Sequence, residues 1–222
     1  MKTIKVKEIF ESIQGEGPYV GYKQLFVRLC NCNLKCNYCD TDFLSNNDYT
    51  EYCVSDLACK INSYQNIHSV SFTGGEPLLS TDFLKDLFPL INKRIYLETN
   101  ATLADKFLEV KPFIDIVSAD IKLESATGIK GTFEFHDKFF EVCRGVETFA
   151  KIVFNRDITD EEIKKTAKMA QKYSIELILQ PEMYESSMLV DIDFAVEVLN
   201  KFLLLYPDIR FIPQVHKFLN VR

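Results

Sequence analysis

No stretch of this sequence stays apolar long enough to cross a bilayer, and its first residues, MKTIKVKEIFESIQGEG, lack the hydrophobic core and cleavage site of a secretory signal. Both absences point to a cytoplasmic protein with no membrane partner. Positive charge is not in excess: 26 Lys and Arg against 32 Asp and Glu leave a formal net charge of -6. That balance disfavours broad electrostatic capture of nucleic acid and favours a small-molecule substrate. Internal repeats and low-complexity linkers are missing too, and 222 residues, 47% of them hydrophobic, suit one compact domain over residues 1–222. Histidine is scarce: His68, His136 and His216 are the whole set. The seven cysteines, an odd number without a secretory signal, argue for reduced thiols and metal ligation rather than a disulfide framework.

Three of those cysteines stand at C-x3-C-x2-C spacing in LCNCNLKCNYCDT: Cys32, Cys36 and Cys39. A [4Fe-4S] cluster needs a ligand on each iron, and electron carriers normally supply four thiolates. Three close cysteines leave one iron open, and an open coordination position marks a catalytic site rather than a structural one. Zinc is the other use for such thiols. It wants four ligands and finds no histidine in this loop, although Cys30 offers a fourth thiolate, so a zinc-binding interaction module stays open as a reading.

Short apolar runs alternate with helical patterns, the ordering of βα units and a mostly parallel sheet. The expected strands are VKEIF from Val6, QLFVRLC from Gln24, HSVSFT from His68, RIYLET from Arg94, DIVSAD from Asp115, FAKIVF from Phe149, IELILQ from Ile175 and IRFIP from Ile209. Helical spacing links Leu57, Ala58, Ile61 and Tyr64, and again Phe83, Leu84, Leu87, Leu90 and Ile91. Thr159 and Glu162 form a capping-box pair for a helix reaching about Tyr173, and a last long helix from about Asp193 should end before Pro207. The polar stretch from Glu124 to Asp137 reads as a mobile loop. In parallel α/β folds ligands bind at the carboxyl ends of strands. The cysteine loop, TGGEP, ETN, SADIK and QPEM all follow expected strands. A partial βα barrel with a lateral opening gathers them around one cavity; an open doubly wound sheet is the alternative. Alternation along QLFVRLC puts Arg28 on the face of Phe26 and Cys30, opposite Leu25, Val27 and Leu29. There it needs a partner, and its guanidinium suits a carboxylate.

With IQGEGPYVG, LFVRLCNCNLKCNYCDTDF, FTGGEPLL, LETN, VSADIK, KIVF, LQPE and IPQVHKFLNVR in view, the chain resembles radical S-adenosylmethionine enzymes, and within them the 7-carboxy-7-deazaguanine synthase family. The resemblance runs through nearly the whole chain. It implies an incomplete βα barrel, a [4Fe-4S] cluster on Cys32, Cys36 and Cys39, S-adenosylmethionine on the fourth iron, and Mg2+ on Thr41. It assigns Tyr38, Asp40, Gly74, Gly75, Glu76, Ser118, Lys122 and Gln180 to the S-adenosylmethionine pocket. Tyr38 is to cover the adenine, the two glycines are to let backbone groups approach the ligand, and Glu76 is to offer its carboxylate to the ligand ammonium. Ile13, Gln14, Gly15, Glu16, Arg28, Thr73 and His216 fall to the substrate, with the terminal carboxylate of Arg222 as a further expectation. Cys30, Cys53, Cys59 and Cys143 then remain ordinary thiols.

The reaction implied is conversion of 6-carboxy-5,6,7,8-tetrahydropterin to 7-carboxy-7-deazaguanine with release of ammonia, in queuosine or other deazapurine biosynthesis. An electron donor such as flavodoxin or ferredoxin and a homodimeric assembly are implied as well. A glycyl-radical enzyme activase shares the cysteine motif and is the rival within the superfamily. Three positions depart from the family pattern: Asn31 where glycine is common, Tyr38 where tryptophan is frequent, and Ala101 where glycine is expected after ETN. They bear on local backbone geometry.

Overall fold

The structure is a computed structural model that describes residues 2–39 and 48–221. Its strands are β1 (Thr3–Ile13), β2 (Lys23–Leu29), β3 (Thr50–Cys53), β4 (Ser69–Gly74), β5 (Ile95–Thr99), β6 (Ile116–Ile121), β7 (Glu147–Phe154), β8 (Glu176–Pro181), β9 (Met183–Tyr184), β10 (Ser187–Met188) and β11 (Ile209–Phe211). Nine of them form one sheet in the order β11-β8-β7-β6-β5-β4-β2-β1-β3, while β9 and β10 make a small hairpin of their own. Pairing is parallel from β11 to β2. The N-terminal strand β1 then lies antiparallel between β2 and β3.

The helices are α1 (Val54–Ser63), α2 (Thr81–Leu87), α3 (Ala104–Val110), α4 (Glu124–Thr127), α5 (Phe133–Cys143), α6 (Asp160–Tyr173), α7 (Ile192–Leu203) and α8 (Val215–Leu219). Strand alternation sorts the side chains. Leu25, Val27 and Leu29 of β2, Val117 and Ala119 of β6, and Ile152 and Phe154 of β7 join one continuous core with Leu57, Leu84, Phe107, Phe139, Ile163 and Phe202 from the helices. The opposite face carries a small cluster of Tyr96, Ile116, Phe149 and Ile178, and beyond it buried polar residues such as Gln24, Ser71, Lys151 and Gln180. A doubly wound sheet would pack helices on both faces. Here the main core lies on one face and the other is roofed by two loops: Val215 N donates to Gly15 O at 2.9 Å, joining the turn after β1 to the segment after β11. That is an incomplete barrel, open where β3 and β11 remain unpaired with each other.

All eight expected strands are present, with shifted ends. The edge strand β3 and the β9–β10 hairpin escape the sequence pattern because TEYC is half polar and two-residue strands have no periodicity. The helix expected at Thr159 starts there: its hydroxyl accepts from Glu162 N while the Glu162 carboxylate accepts from Thr159 N. The stretch from Glu124 to Asp137 is not a loop throughout. It holds α4 and the start of α5, joined across Gly128 at φ 75°. His136 anchors it, being fully buried, with Nδ1 against Ala101 O at 3.1 Å and Nε2 accepting from Lys122 N at 3.0 Å. Burial lowers its pKa to about 4, so the ring is neutral at pH 7 and bridges as a structural group.

Candidate active site

At the carboxyl ends of the parallel strands lies a cavity of about 260 Å³. Its wall includes Ile13, Gln14, Gly15 and Glu16 from the turn after β1, Arg28 at the end of β2, Thr73 and Gly74 at the end of β4, and His216 at the start of α8. Tyr38 and Cys39 of the cysteine loop and Gln180 of β8 line it as well. Cys32, Cys36, Gly75, Glu76, Ser118 and Lys122 stand outside that wall. Asp40, Thr41 and Arg222 lie outside the described residues.

The cysteine loop is tied down by its asparagines. Asn37 N donates to Thr127 O at 3.1 Å, and Asn33 Nδ2 donates to Thr102 Oγ1 at 3.0 Å. Asn100 Nδ2 donates in turn to Asn33 Oδ1 at 2.8 Å. Burial raises the thiol pKa of Cys32 and Cys36; Lys122 works against the rise at both, and Cys39 adds to it. Such thiols become stable thiolates when a metal centre takes their charge. Cys30 faces another environment: its N–H donates to Lys5 O at 3.2 Å, and Lys7, Lys5 and Asp48 are the charges it feels. Among the described residues no three His, Cys, Asp or Glu side chains close on a point fit for a single ion. A four-iron cluster spaces its thiolates wider than one ion does.

The glycines of TGGEP lie against the protein's own backbone. A Cβ on Gly74 would lie 2.2 Å from Leu29 O, and one on Gly75 would lie 1.8 Å from Asn31 O. Their absence lets Gly75 N and Glu76 N donate to Leu29 O and Asn31 O at 3.2 and 2.8 Å, locking this turn to the root of the cysteine loop. Glu76 is likewise engaged within the fold. Its carboxylate is fully buried and accepts from Leu78 N, Thr99 Oγ1 and Asn100 N at 3.0, 2.8 and 2.7 Å. Turned into the fold, it braces TGGEP against ETN. Burial pushes its pKa up to about 7 against those three donors. Asn31 and Ala101, the departures from glycine, occupy the left-handed region at φ 71° and 54°. The backbone there keeps a glycine-type conformation without glycine.

A buried chain of charges joins the two ends of the cavity. Lys151, 4% exposed, pairs with Glu16 and lies 3.4 Å from Asp120 Oδ1. Asp120 Oδ2 accepts from Lys122 at 2.8 Å, and Lys122 donates to the Tyr38 hydroxyl at 3.0 Å. Lys122 is therefore held between Tyr38, through its ammonium, and His136, through its backbone N–H. Gln214 Nε2 donates to Glu16 Oε1 at 2.7 Å. Burial opposes the Glu16 charge, but Lys151, His216 and Gln214 outweigh it and hold the carboxyl at about 2. Burial, with Lys217 and Lys151 nearby, lowers the His216 pKa. Arg28 pairs with Glu8 at 2.9 Å and lies over the Phe10 ring while lining the cavity. Sequence reasoning passed over Glu98, Asp120, Lys151 and Gln214. Each lies inside a quoted motif, and Lys151, a lysine amid the apolar run FAKIVF, carried the clearest signal.

The radical SAM superfamily model matches residues 27–176. The chain is 39% identical to a 7-carboxy-7-deazaguanine synthase of Archaeoglobus fulgidus, covering 97% of both chains. It is 30% identical to one of Geobacter sulfurreducens, over 97% of this chain and 96% of that one. The chain belongs to the 7-carboxy-7-deazaguanine synthase family of radical SAM enzymes. A solved structure of QueE from Escherichia coli shares the fold, with a TM-score of 0.67 at 19% identity over 96% of this chain and 95% of that one. Membership in the radical SAM superfamily brings a [4Fe-4S] cluster and S-adenosylmethionine with it, and the cavity suits them. Cys39 lines it, with Cys32 and Cys36 within electrostatic reach of that thiol, and Gln180 Oε1 is buried without a hydrogen-bond partner. Unpartnered buried acceptors of this kind want donors. In a radical SAM enzyme the amino group of S-adenosylmethionine is such a donor.

Proposed function

We propose that this chain converts 6-carboxy-5,6,7,8-tetrahydropterin to 7-carboxy-7-deazaguanine with release of ammonia, in deazapurine biosynthesis. The observation that carries the reading is the cavity itself, which is lined both by the QGEG turn with His216 and by Tyr38 with Cys39. A heterocycle seated against the first lies next to a cofactor held by the second. When bound, the cluster and S-adenosylmethionine supply a 5'-deoxyadenosyl radical that abstracts hydrogen from the substrate.

The chain's own residues hold and orient. Cys32, Cys36 and Cys39 would ligate three irons, with Tyr38, Asp40, Gly74 and Gln180 around the S-adenosylmethionine. Arg28, its guanidinium fork only partly used by Glu8, has donors left for a substrate carboxylate. Gly15 is pressed against His216, so the backbone of the QGEG turn is fixed where it meets the ligand. Holding reactants in one geometry is the protein's share of such catalysis. Residues 1–222 form a single radical SAM domain in this reading. It works in the cytoplasm as a homodimer, fed by a flavodoxin- or ferredoxin-type donor. No helix among the described residues is long and apolar enough to cross a membrane.

Anaerobic turnover with the carboxypterin, S-adenosylmethionine, Mg2+ and a reductant should yield 7-carboxy-7-deazaguanine, read by mass spectrometry. Deoxyadenosine formation that ignores the carboxypterin and depends on a protein partner would overturn the assignment. Thr41, proposed as the Mg2+ ligand, gives a narrower check, because magnesium takes a single protein hydroxyl among waters and substrate oxygens. Thr41→Ala is expected to shift the Mg2+ titration of turnover to higher concentration while cofactor cleavage changes less; an unmoved titration contradicts that role.

A further inference from the structure

Glu98 sits on β5 at the floor of the cavity, where three donors converge on its carboxylate. Gln14 Nε2 and Ser71 Oγ donate to Oε1 at 3.1 and 2.9 Å, and Thr73 Oγ1 donates to Oε2 at 3.2 Å. The direction of each bond is fixed. A carboxylate at neutral pH only accepts, so the Thr73 hydroxyl must give its proton to Glu98. The Gln14 amide is oriented from its other end, since its Oε1 accepts the Glu16 backbone N–H at 3.0 Å. Its two amide hydrogens then go to Glu98 and to Gln24 Oε1, the latter at 2.9 Å.

Little donor capacity remains at this layer. Gln14 has spent both N–H groups and Ser71 its only one. Thr73, which lines the cavity, turns lone pairs toward the ligand because its proton points to Glu98. From this we infer that Glu98 is a positioning residue that sets the polarity of substrate recognition. It makes the floor at Thr73 an acceptor surface, selecting a ligand that presents an N–H or amino group there. The inference rests on the carboxytetrahydropterin reading above and deepens it, since a reduced pterin offers such groups along its rings. A glutamine at position 98 keeps the shape but brings an NH2. That group can donate to Thr73 Oγ1 and release the hydroxyl proton toward the cavity, setting donor against donor.

The test is a double-mutant cycle on the dissociation constant of 6-carboxy-5,6,7,8-tetrahydropterin, measured anaerobically by calorimetry on the full-length reconstituted enzyme. Glu98→Gln and Thr73→Val should each weaken binding about tenfold, the scale of one buried hydrogen bond lost or left unpaired. Combined, they should bind no more weakly than Thr73→Val alone, because Glu98 acts through that hydroxyl. Thr73→Ser, which keeps the hydroxyl, should bind more tightly than Thr73→Val and regain sensitivity to Glu98→Gln. Additive losses overturn the inference, as does wild-type affinity in Glu98→Gln. A Glu98→Gln protein weakened only by misfolding would lose affinity in the Thr73→Val background too, which is the additive result. Failure of the wild-type enzyme to bind the carboxypterin would instead sink the functional reading and the inference with it.

Discussion

Replacing Cys36 with alanine is expected to abolish iron and sulfide loading, and with it all turnover of the carboxypterin, while the apo protein melts close to wild type. The loop around Cys36 is held by Asn33 and Asn37 through side-chain and backbone hydrogen bonds, so losing the thiol leaves those ties in place. Cluster ligation has no such spare. Two thiolates remain, and the nearest cysteine in sequence, Cys30, is tied to Lys5 and feels Lys7 and Asp48 rather than the loop thiols. Cys30→Ala is therefore the control, with iron content expected to match wild type. Iron and sulfide assays after anaerobic reconstitution decide the matter. Full loading of Cys36→Ala would remove that residue from the ligand set, and zinc in place of iron in the wild type would remove the cluster.

The second large effect is expected at Lys151, where methionine should destabilise the fold by roughly 3–5 kcal/mol, the range for breaking a buried ion pair from one side. Glu16 and Asp120 would both lose their shared cation. The pH dependence carries a sign that distinguishes this from a packing defect. In the native state Glu16 titrates at about 2 against an ordinary value of 4.5, so the unfolded chain binds the proton more readily. Its contribution, on the order of 3 kcal/mol, is fully present above about pH 4.5 and is lost as the pH falls toward 2. Without Lys151 the burial that opposes the Glu16 charge is no longer outweighed. Its pKa should rise, and the slope of stability against pH should flatten or reverse between pH 3 and 7, in chemical denaturation series taken at about one-unit steps. A Lys151→Met protein that kept the wild-type slope would refute the pairing. Turnover should fall with stability, because the QGEG turn loses the lysine that pairs with its carboxylate and keeps Gln214 and His216.

Much of this molecule was readable in its sequence for definite reasons. The parallel strands have a signature because their apolar runs are buried and bounded by turn residues, and the chemistry collects at their carboxyl ends because that is where the crevice opens. The capping box at Thr159 is local, so three residues suffice to predict it. Helices α3, α4 and α5 were harder. They are short or begin in polar sequence, and what holds α5 is a tertiary bond between His136 and Ala101 that no window of sequence contains.

The roles of TGGEP show the limit most clearly. Two glycines and a glutamate follow a strand, yet sequence alone could not say what they approach. Only the fold shows Gly75 meeting Asn31 and Glu76 meeting Asn100, partners 44 and 24 residues away. The same holds for the chain from Glu16 through Lys151 and Asp120 to Tyr38. By itself the sequence determined the cysteine spacing, the strand order's raw material and the family, because spacing, alternation and motif are properties of neighbouring residues. Which charges pair, which hydroxyls are left to accept and which loop closes over which were decided by the tertiary structure. A buried carboxylate takes its partner from whatever the folding of distant segments brings within about 3 Å.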